Sequence, residues 1–258
     1  MHERHFTRGG SGATVVLSHS LGCDLRMWDD VCVELEPHCS VLRYDDRGHG
    51  QSAPAEPPLT IADLADDALA LIERECAGEP IHFVGLSLGG MVAQALAARQ
   101  PRALASVVIA NSSSLYDDAA KAQWRARIET VRAQGLAPIA DGVMQRWFTP
   151  EFRVDERGGG AALVRQTRER LEGCDPASYA ACCEAVANID LRAGNARVGC
   201  PTLVIAGRRD EATPPSMSQA IANEIAGAKL RTIDAAHLSA VERPREFAAM
   251  LMAFWGQL

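Results

Sequence analysis

Residues 85–90 read Gly-Leu-Ser-Leu-Gly-Gly, with the apolar stretch IHFV (81–84) before them and a small, apolar, helix-patterned segment (88–99) around and after them. A G-x-S-x-G turn that joins a strand to a helix leaves a chain few options. The reversal is so sharp that the serine must take a strained backbone conformation. Its neighbours two residues away on each side are pressed together, so Cβ atoms at 85 and 89 would collide, and glycine stands at both positions. Such a turn lifts the Ser87 hydroxyl above the carboxyl edge of a sheet. It also aims the positive end of the following helix at whatever the serine attacks.

The same strand-then-helix unit recurs on both sides of the turn. Strands are expected at 13–17, 41–44 and 106–109, and helices at 25–36 and 59–76; the second helix opens with Thr60 and Asp63 as a capping pair. The helix over 88–99 is expected to stop before Pro101. From 112 to 196 the pattern changes. Helical periodicity runs through 119–133, 138–147, 161–171 and 176–187, broken at Gly135, Pro150 and the glycine run 158–160, with no strand expected. Alternation resumes with strands at 202–206 and 230–233 and helices at 214–226 and 246–254. The expected fold class is therefore α/β: a mostly parallel central sheet flanked by helices, with an inserted helical cap. Residues 1–111 and 197–258 would form the core and 112–196 the cap.

Composition narrows the function. The 258 residues carry 26 Lys and Arg against 33 Asp and Glu, a net charge of −7, which gives no electrostatic reason to bind nucleic acid or an anionic membrane. No apolar run is long enough to span a bilayer, and the first residues, MHERHF, lack the apolar segment of a signal peptide. The eight cysteines have no framework spacing and no C-x-x-C pair, so free thiols in a reducing cytoplasm are expected. His2, His5, His38 and His82 have no metal-ligand spacing, and no metal site is expected.

A G-x-S-x-G turn in a β/α array with a helical insertion resembles the α/β-hydrolase fold, whose nucleophile, acid and base follow in that chain order. A serine hydroxyl needs a base to take its proton, and the base needs a carboxylate to fix its tautomer. Downstream of Ser87 the chain has one histidine, His237, just after the strand at 230–233. The acid expected at the end of the preceding strand is Asp210; Glu211 and Asp234 are the other acidic candidates, and position 111, a further acid position in this fold, holds Asn111. The loop His19-Ser20-Leu21-Gly22 follows the strand at 13–17. In this fold it supplies one backbone N–H to the oxyanion, which by position is that of Leu21, while Leu88 supplies the other. His19 is expected to support that loop, and Arg47, Gly48 and His49 to knit neighbouring loops together.

Within the superfamily the chain is similar to the 3-oxoadipate enol-lactonases of aromatic catabolism, in the β-ketoadipate pathway. The likeness rests on LSHSLGCDLRMW (17–28), LRYDDRGHGQS (42–52), FVGLSLGGMVAQALAARQP (83–101), CPTLVIAGRRDEATPP (200–215) and, in the cap, QRWFTPEF (145–152). The departures are a short N-terminal hairpin, Asp46 where threonine is common, and VANID at 186–190. The resemblance implies a serine hydrolase that opens a small carboxylate-bearing enol-lactone through an acyl-enzyme, with neither metal nor organic cofactor. Arg146 is the candidate for pairing with the substrate carboxylate, and Trp147, Trp124 and Phe148 are candidates for the apolar wall. A broad carboxylesterase or arylesterase, or a slow-turnover ligand-binding protein on the same fold, would share these core motifs.

Overall fold

The computed structural model describes residues 4–76, 78–99 and 104–258. Among the described residues seven strands form one sheet: β1 (Phe6–Gly9), β2 (Thr14–Ser18), β3 (Ser40–Tyr44), β4 (Ile81–Leu86), β5 (Leu104–Ala110), β6 (Thr202–Gly207) and β7 (Lys229–Ile233). Their spatial order is β1-β3-β2-β4-β5-β6-β7, and every pairing is parallel except that of β1 with β3. Parallel strands need crossovers, and the helices α1 (Asp29–Leu35), α2 (Ile61–Glu75) and α3 (Leu88–Arg99) supply them in the first half. These cover the sheet, which is why β2 reads TVVLS with Val15, Val16 and Leu17 all fully buried rather than alternating. At α2 the Thr60 hydroxyl accepts the Asp63 N–H and the Asp63 carboxylate accepts the Thr60 N–H, a complete capping box.

Between β5 and β6 lie α4 (Asp118–Gln134), α5 (Ala137–Trp147), α6 (Pro150–Arg153), α7 (Gly160–Glu172), α8 (Pro176–Ala187) and α9 (Arg192–Asn195). A single bridge, Leu115 with Asp190, draws the two ends of this segment together at its base. Helix α4 packs on α8, and α5 packs on α4 and α7. After β6 come α10 (Pro215–Glu224), then, past β7, α11 (Ser239–Glu242) and α12 (Pro244–Trp255).

Two elements differ from the sequence expectation. Residues 25–36 are not one helix: Leu25–Trp28 is a 3-10 turn capped by the Asp24 carboxylate, and the α-helix begins at Asp29. The N-terminal segment does form a strand, but its partner is β3, with Phe6 opposite Tyr44, and not the adjacent β2. As an edge strand that is mostly open to solvent, FTRG carries no hydrophobic alternation to betray it. The expected stop at Pro101 lies outside the described residues. Among the described residues no helix is long and apolar enough to cross a membrane.

The topology places the site. Chain order reverses at β2, with β3 on one side and β4 on the other. In open α/β sheets ligands bind beyond the carboxyl ends of the strands at such a switch point. Ser18 pairs with Gly85 in register there, so the loops that follow β2 and β4 leave the sheet side by side.

Candidate active site

Ser87 sits between β4 and α3 with φ of 57°. For a residue other than glycine that conformation costs about 1–2 kcal/mol. The turn is held from several directions: Ser87 N–H donates to Ala110 O (2.9 Å), and Ser87 O accepts from Met91 N–H (3.0 Å) and the Ser112 hydroxyl (2.9 Å). A Cβ at Gly85 would lie 1.9 Å from Gly89 O, and one at Gly89 would lie 2.2 Å from Ser18 O. No side chain fits at either place; the first clash is the one read from the motif, while the second is with β2 and not with position 85.

The serine hydroxyl is 2.9 Å from His237 Nε2, and His237 Nδ1 is 2.9 Å from Asp210 Oδ2. His237 follows β7 and Asp210 follows β6, so neighbouring parallel strands deliver the two side chains to the same rim. Asp210 is buried and well supplied with donors. Its Oδ1 accepts from the Ala212 and Thr213 N–H groups at 2.8 and 2.9 Å, and its Oδ2 accepts from the Thr213 hydroxyl (2.7 Å) and the Asn111 amide (2.9 Å). Burial acts to raise its pKa, but the adjacent His237, the Asn111 amide and the Thr213 N–H outweigh it and hold the carboxyl below its ordinary value. Glu211 and Asp234 are both exposed, and neither bonds to His237. Asn111, the alternative acid position, is instead hydrogen-bonded to Asp210. Its φ is 47°, its amide donates to Asp210, and its carbonyl accepts from the Ser239 hydroxyl at 2.6 Å.

Leu21 and Leu88 each present a backbone N–H with no acceptor among the described residues. The neighbouring Gly89 N–H is taken by His19 O at 3.0 Å, which ties the β2 loop to the start of α3. His19 is fully buried, with both ring nitrogens engaged by backbone, at Ser20 O and Asp46 N–H. Arg47 makes a two-pronged bond to Asp67 at 3.0 and 2.8 Å, and His49 reaches Gly22 N–H.

Ser87 and His237 open into a pocket of about 500 Å³ lined also by Leu21, Trp124, Arg146 and Trp147. A larger cleft of about 780 Å³, between the 45–54 loop and helices α7 and α8, contains none of the three relay residues. Trp147 stacks toward His237 with ring centroids 6.4 Å apart. Phe148, expected in the wall, faces away: it is fully buried against Phe152, 5.5 Å between ring centres. Sequence reasoning missed Arg127, which lines the same pocket and lies over the Trp124 ring at 4.8 Å. The spacing Trp124-x-x-Arg127 on one helical face was the available signal. Neither Arg127 nor Arg146 forms an ion pair among the described residues; burial together with the Arg127 charge lowers the Arg146 pKa, against the opposing pull of Glu211, which lines the same pocket. Ser20 lines the pocket as well, and its buried hydroxyl has no hydrogen-bond partner among the described residues.

Residues 15–250 match the alpha/beta hydrolase family. The chain belongs to that family. Among its relatives is 3-oxoadipate enol-lactonase 2 of Acinetobacter baylyi, 35% identical over 233 residues, which span 90% of this chain and 85% of that one. The solved enol-lactonase from Burkholderia xenovorans superposes with a TM-score of 0.92 at 34% identity, covering 99% of this chain and 97% of that chain. A hydrolase from Pseudomonas aeruginosa gives a TM-score of 0.90 at 38% identity, with 99% and 95% covered. This α/β hydrolase is an enzyme that resembles enol-lactonases along nearly its whole length.

Proposed function

We propose that the protein hydrolyses a small enol-lactone bearing a free carboxylate, through an acyl-enzyme on Ser87. The observation that carries this reading is a bonded Ser87–His237–Asp210 relay beneath a pocket lined by two guanidiniums, neither in an ion pair, and by one carboxylate, Glu211. With Glu211 in the same lining the two guanidiniums still leave a positive surplus in a partly desolvated pocket, which an anionic substrate group would offset, and a planar guanidinium suits a carboxylate. Similarity to the enol-lactonases named above supports the choice of ring substrate.

This reading implies the following chemistry. His237 Nε2 takes the Ser87 proton as Oγ attacks the lactone carbonyl, and Asp210 steadies the imidazolium through Nδ1–H. The Leu21 and Leu88 N–H groups bond the oxygen that gains charge; losing one such donor costs about 2.7–4 kcal/mol of transition-state stabilisation. Collapse of the tetrahedral centre breaks the ring C–O bond, and His237 returns the proton to the departing enol oxygen. The enol becomes a ketone, which makes reclosure unfavourable. Water then gives its proton to His237 and attacks the acyl carbon, releasing the second carboxylate and restoring Ser87.

In this reading residues 1–111 and 197–258 are the catalytic core and 112–196 the cap that selects substrate, because Trp124, Arg127, Arg146 and Trp147 all belong to the insertion. The test is kcat/KM on 3-oxoadipate enol-lactone beside p-nitrophenyl esters. A preference for the charged lactone is expected. Preference for neutral esters would replace this reading with that of a broad esterase.

A further inference from the structure

We propose that His19 and His49 work together as positioning residues: two neutral imidazoles that fix the peptide planes on either side of Leu21 and so aim its N–H at the oxyanion. The proposal rests on the serine mechanism just described and adds the device that sets one of its donors.

Leu21 stands at the centre of a turn in which Cys23 N–H donates to Ser20 O at 3.0 Å and Gly22 has φ of +76°. Ser20 O receives a second donor, His19 Nδ1–H, at 2.8 Å. In a trans peptide the C=O and the N–H point in opposite directions. Gripping Ser20 O from two sides therefore turns the Leu21 N–H the other way, and it is left without an acceptor among the described residues. The next peptide plane is held by its own N–H: Gly22 donates to His49 Nε2 at 2.9 Å. Both planes that flank Leu21 are thus anchored, each by a different ring.

The two rings also cross-link two loops. His19, on the loop after β2, takes Asp46 N–H at Nε2 (2.9 Å), while His49, on the loop after β3, takes the Gly22 N–H of the first loop. The rings meet edge to face with centroids 5.0 Å apart, and both are buried. His49 Nδ1 is 3.3 Å from Arg47 O, and a carbonyl can only accept. Each ring therefore carries hydrogen at Nδ1 and none at Nε2. A proton at either Nε2 would face a backbone N–H, donor against donor; the Asp46 carboxylate also lies 3.8 Å from His19 Nε2, farther off than the Asp46 N–H that this nitrogen accepts at 2.9 Å. Burial, with His19 beside it, pushes the His49 pKa down to about 3, which keeps the ring in the form this arrangement needs. Neither ring lines the pocket, so both act through the Leu21 peptide and not on substrate.

Two measurements test the brace. Nitrogen-15 spectra of histidine-labelled protein should show His19 and His49 as neutral Nδ1–H tautomers between pH 6 and 8; an Nε2–H tautomer or an imidazolium at either position overturns the proposal. The second is stopped-flow acylation with p-nitrophenyl acetate. His49→Phe keeps a ring and removes the acceptor, and His49→Gln offers an amide oxygen in its place. Removing an oxyanion donor outright slows an enzyme about 10²–10³-fold, so a misaimed donor should slow acylation by about ten- to a hundred-fold. Ester affinity should stay within about three-fold, and His49→Gln should recover part of the rate. Wild-type acylation in a folded His49→Phe, or equal loss of rate and affinity in both variants, overturns the proposal. If His49→Phe does not fold, His49→Gln and the tautomer spectra decide the matter. Failure of wild-type protein to acylate at all would instead count against the serine mechanism, a result the spectra keep separate.

Discussion

The Glu242 carboxylate accepts the backbone N–H of Thr149, and its second oxygen accepts Ala236 N–H at 3.2 Å. One buried side chain thereby ties the end of α5 to the residue before His237. Leu238 N–H adds a third link, to Trp147 O at 3.1 Å. The inserted helices and the histidine loop are one hydrogen-bonded unit at this point. Glu242→Ala would leave two buried N–H groups unpaired, and each such loss costs about 1–3 kcal/mol. A fall of about 2–4 kcal/mol in urea unfolding is expected, with a lower kcat because His237 loses its support. Glu242→Gln, which keeps one acceptor, should lose less of both. Unchanged stability in the alanine variant would contradict the bridge.

Acid sensitivity should trace to Asp210. Its folded pKa lies below its unfolded one, so its contribution to stability is present above the ordinary carboxylate range and is lost as pH falls through the lowered value. Glu242 has the opposite sign: burial raises its pKa against the N–H bonds from Thr149 and Ala236, so its contribution is full below the ordinary glutamate value and declines as pH rises through the raised one. Asp210→Asn should flatten the acid limb of stability in urea midpoints taken from pH 3 to 7. The same variant should lower kcat by about 10⁴-fold, because it presents His237 with the wrong tautomer.

The left-handed backbone at Ser87 predicts that glycine is more stable than alanine at this position. Glycine adopts φ of 57° without steric cost, so Ser87→Gly should unfold about 1 kcal/mol later than Ser87→Ala while both fail to acylate. Thermal unfolding of the pair checks it, and equal midpoints would remove the strain argument.

Arg127→Ala and Arg146→Ala should each lower kcat/KM for the charged lactone by about ten- to a hundred-fold, the range of one charge-assisted hydrogen bond. A neutral p-nitrophenyl ester should change by less than about three-fold. Equal losses on both substrates would take that arginine out of carboxylate recognition.

The features legible from sequence were local ones. The turn at Ser87 is legible within six residues because the clash at position 85 is with the turn itself, a Gly85 Cβ lying 1.9 Å from Gly89 O, whereas the clash at Gly89 is with Ser18 O of β2. Inner strands such as β2 announce themselves because both faces are covered, whereas β1, at the open edge, had no such pattern. His237 stood out because no other histidine follows the serine. What tertiary structure alone decided were meetings between distant segments. Asp210, and not the adjacent Glu211, reaches the imidazole because the Ala212 and Thr213 N–H groups and Asn111, 99 residues away, turn its carboxylate inward. Arg127 enters the pocket because the rotation of α4 about its axis is set by what it packs against, and Phe148 lies outside it because the chain turns extended after Trp147 and buries that ring against Phe152. Hydrogen bonds across loops depend on ångström-scale distances, and no spacing along the chain encodes them.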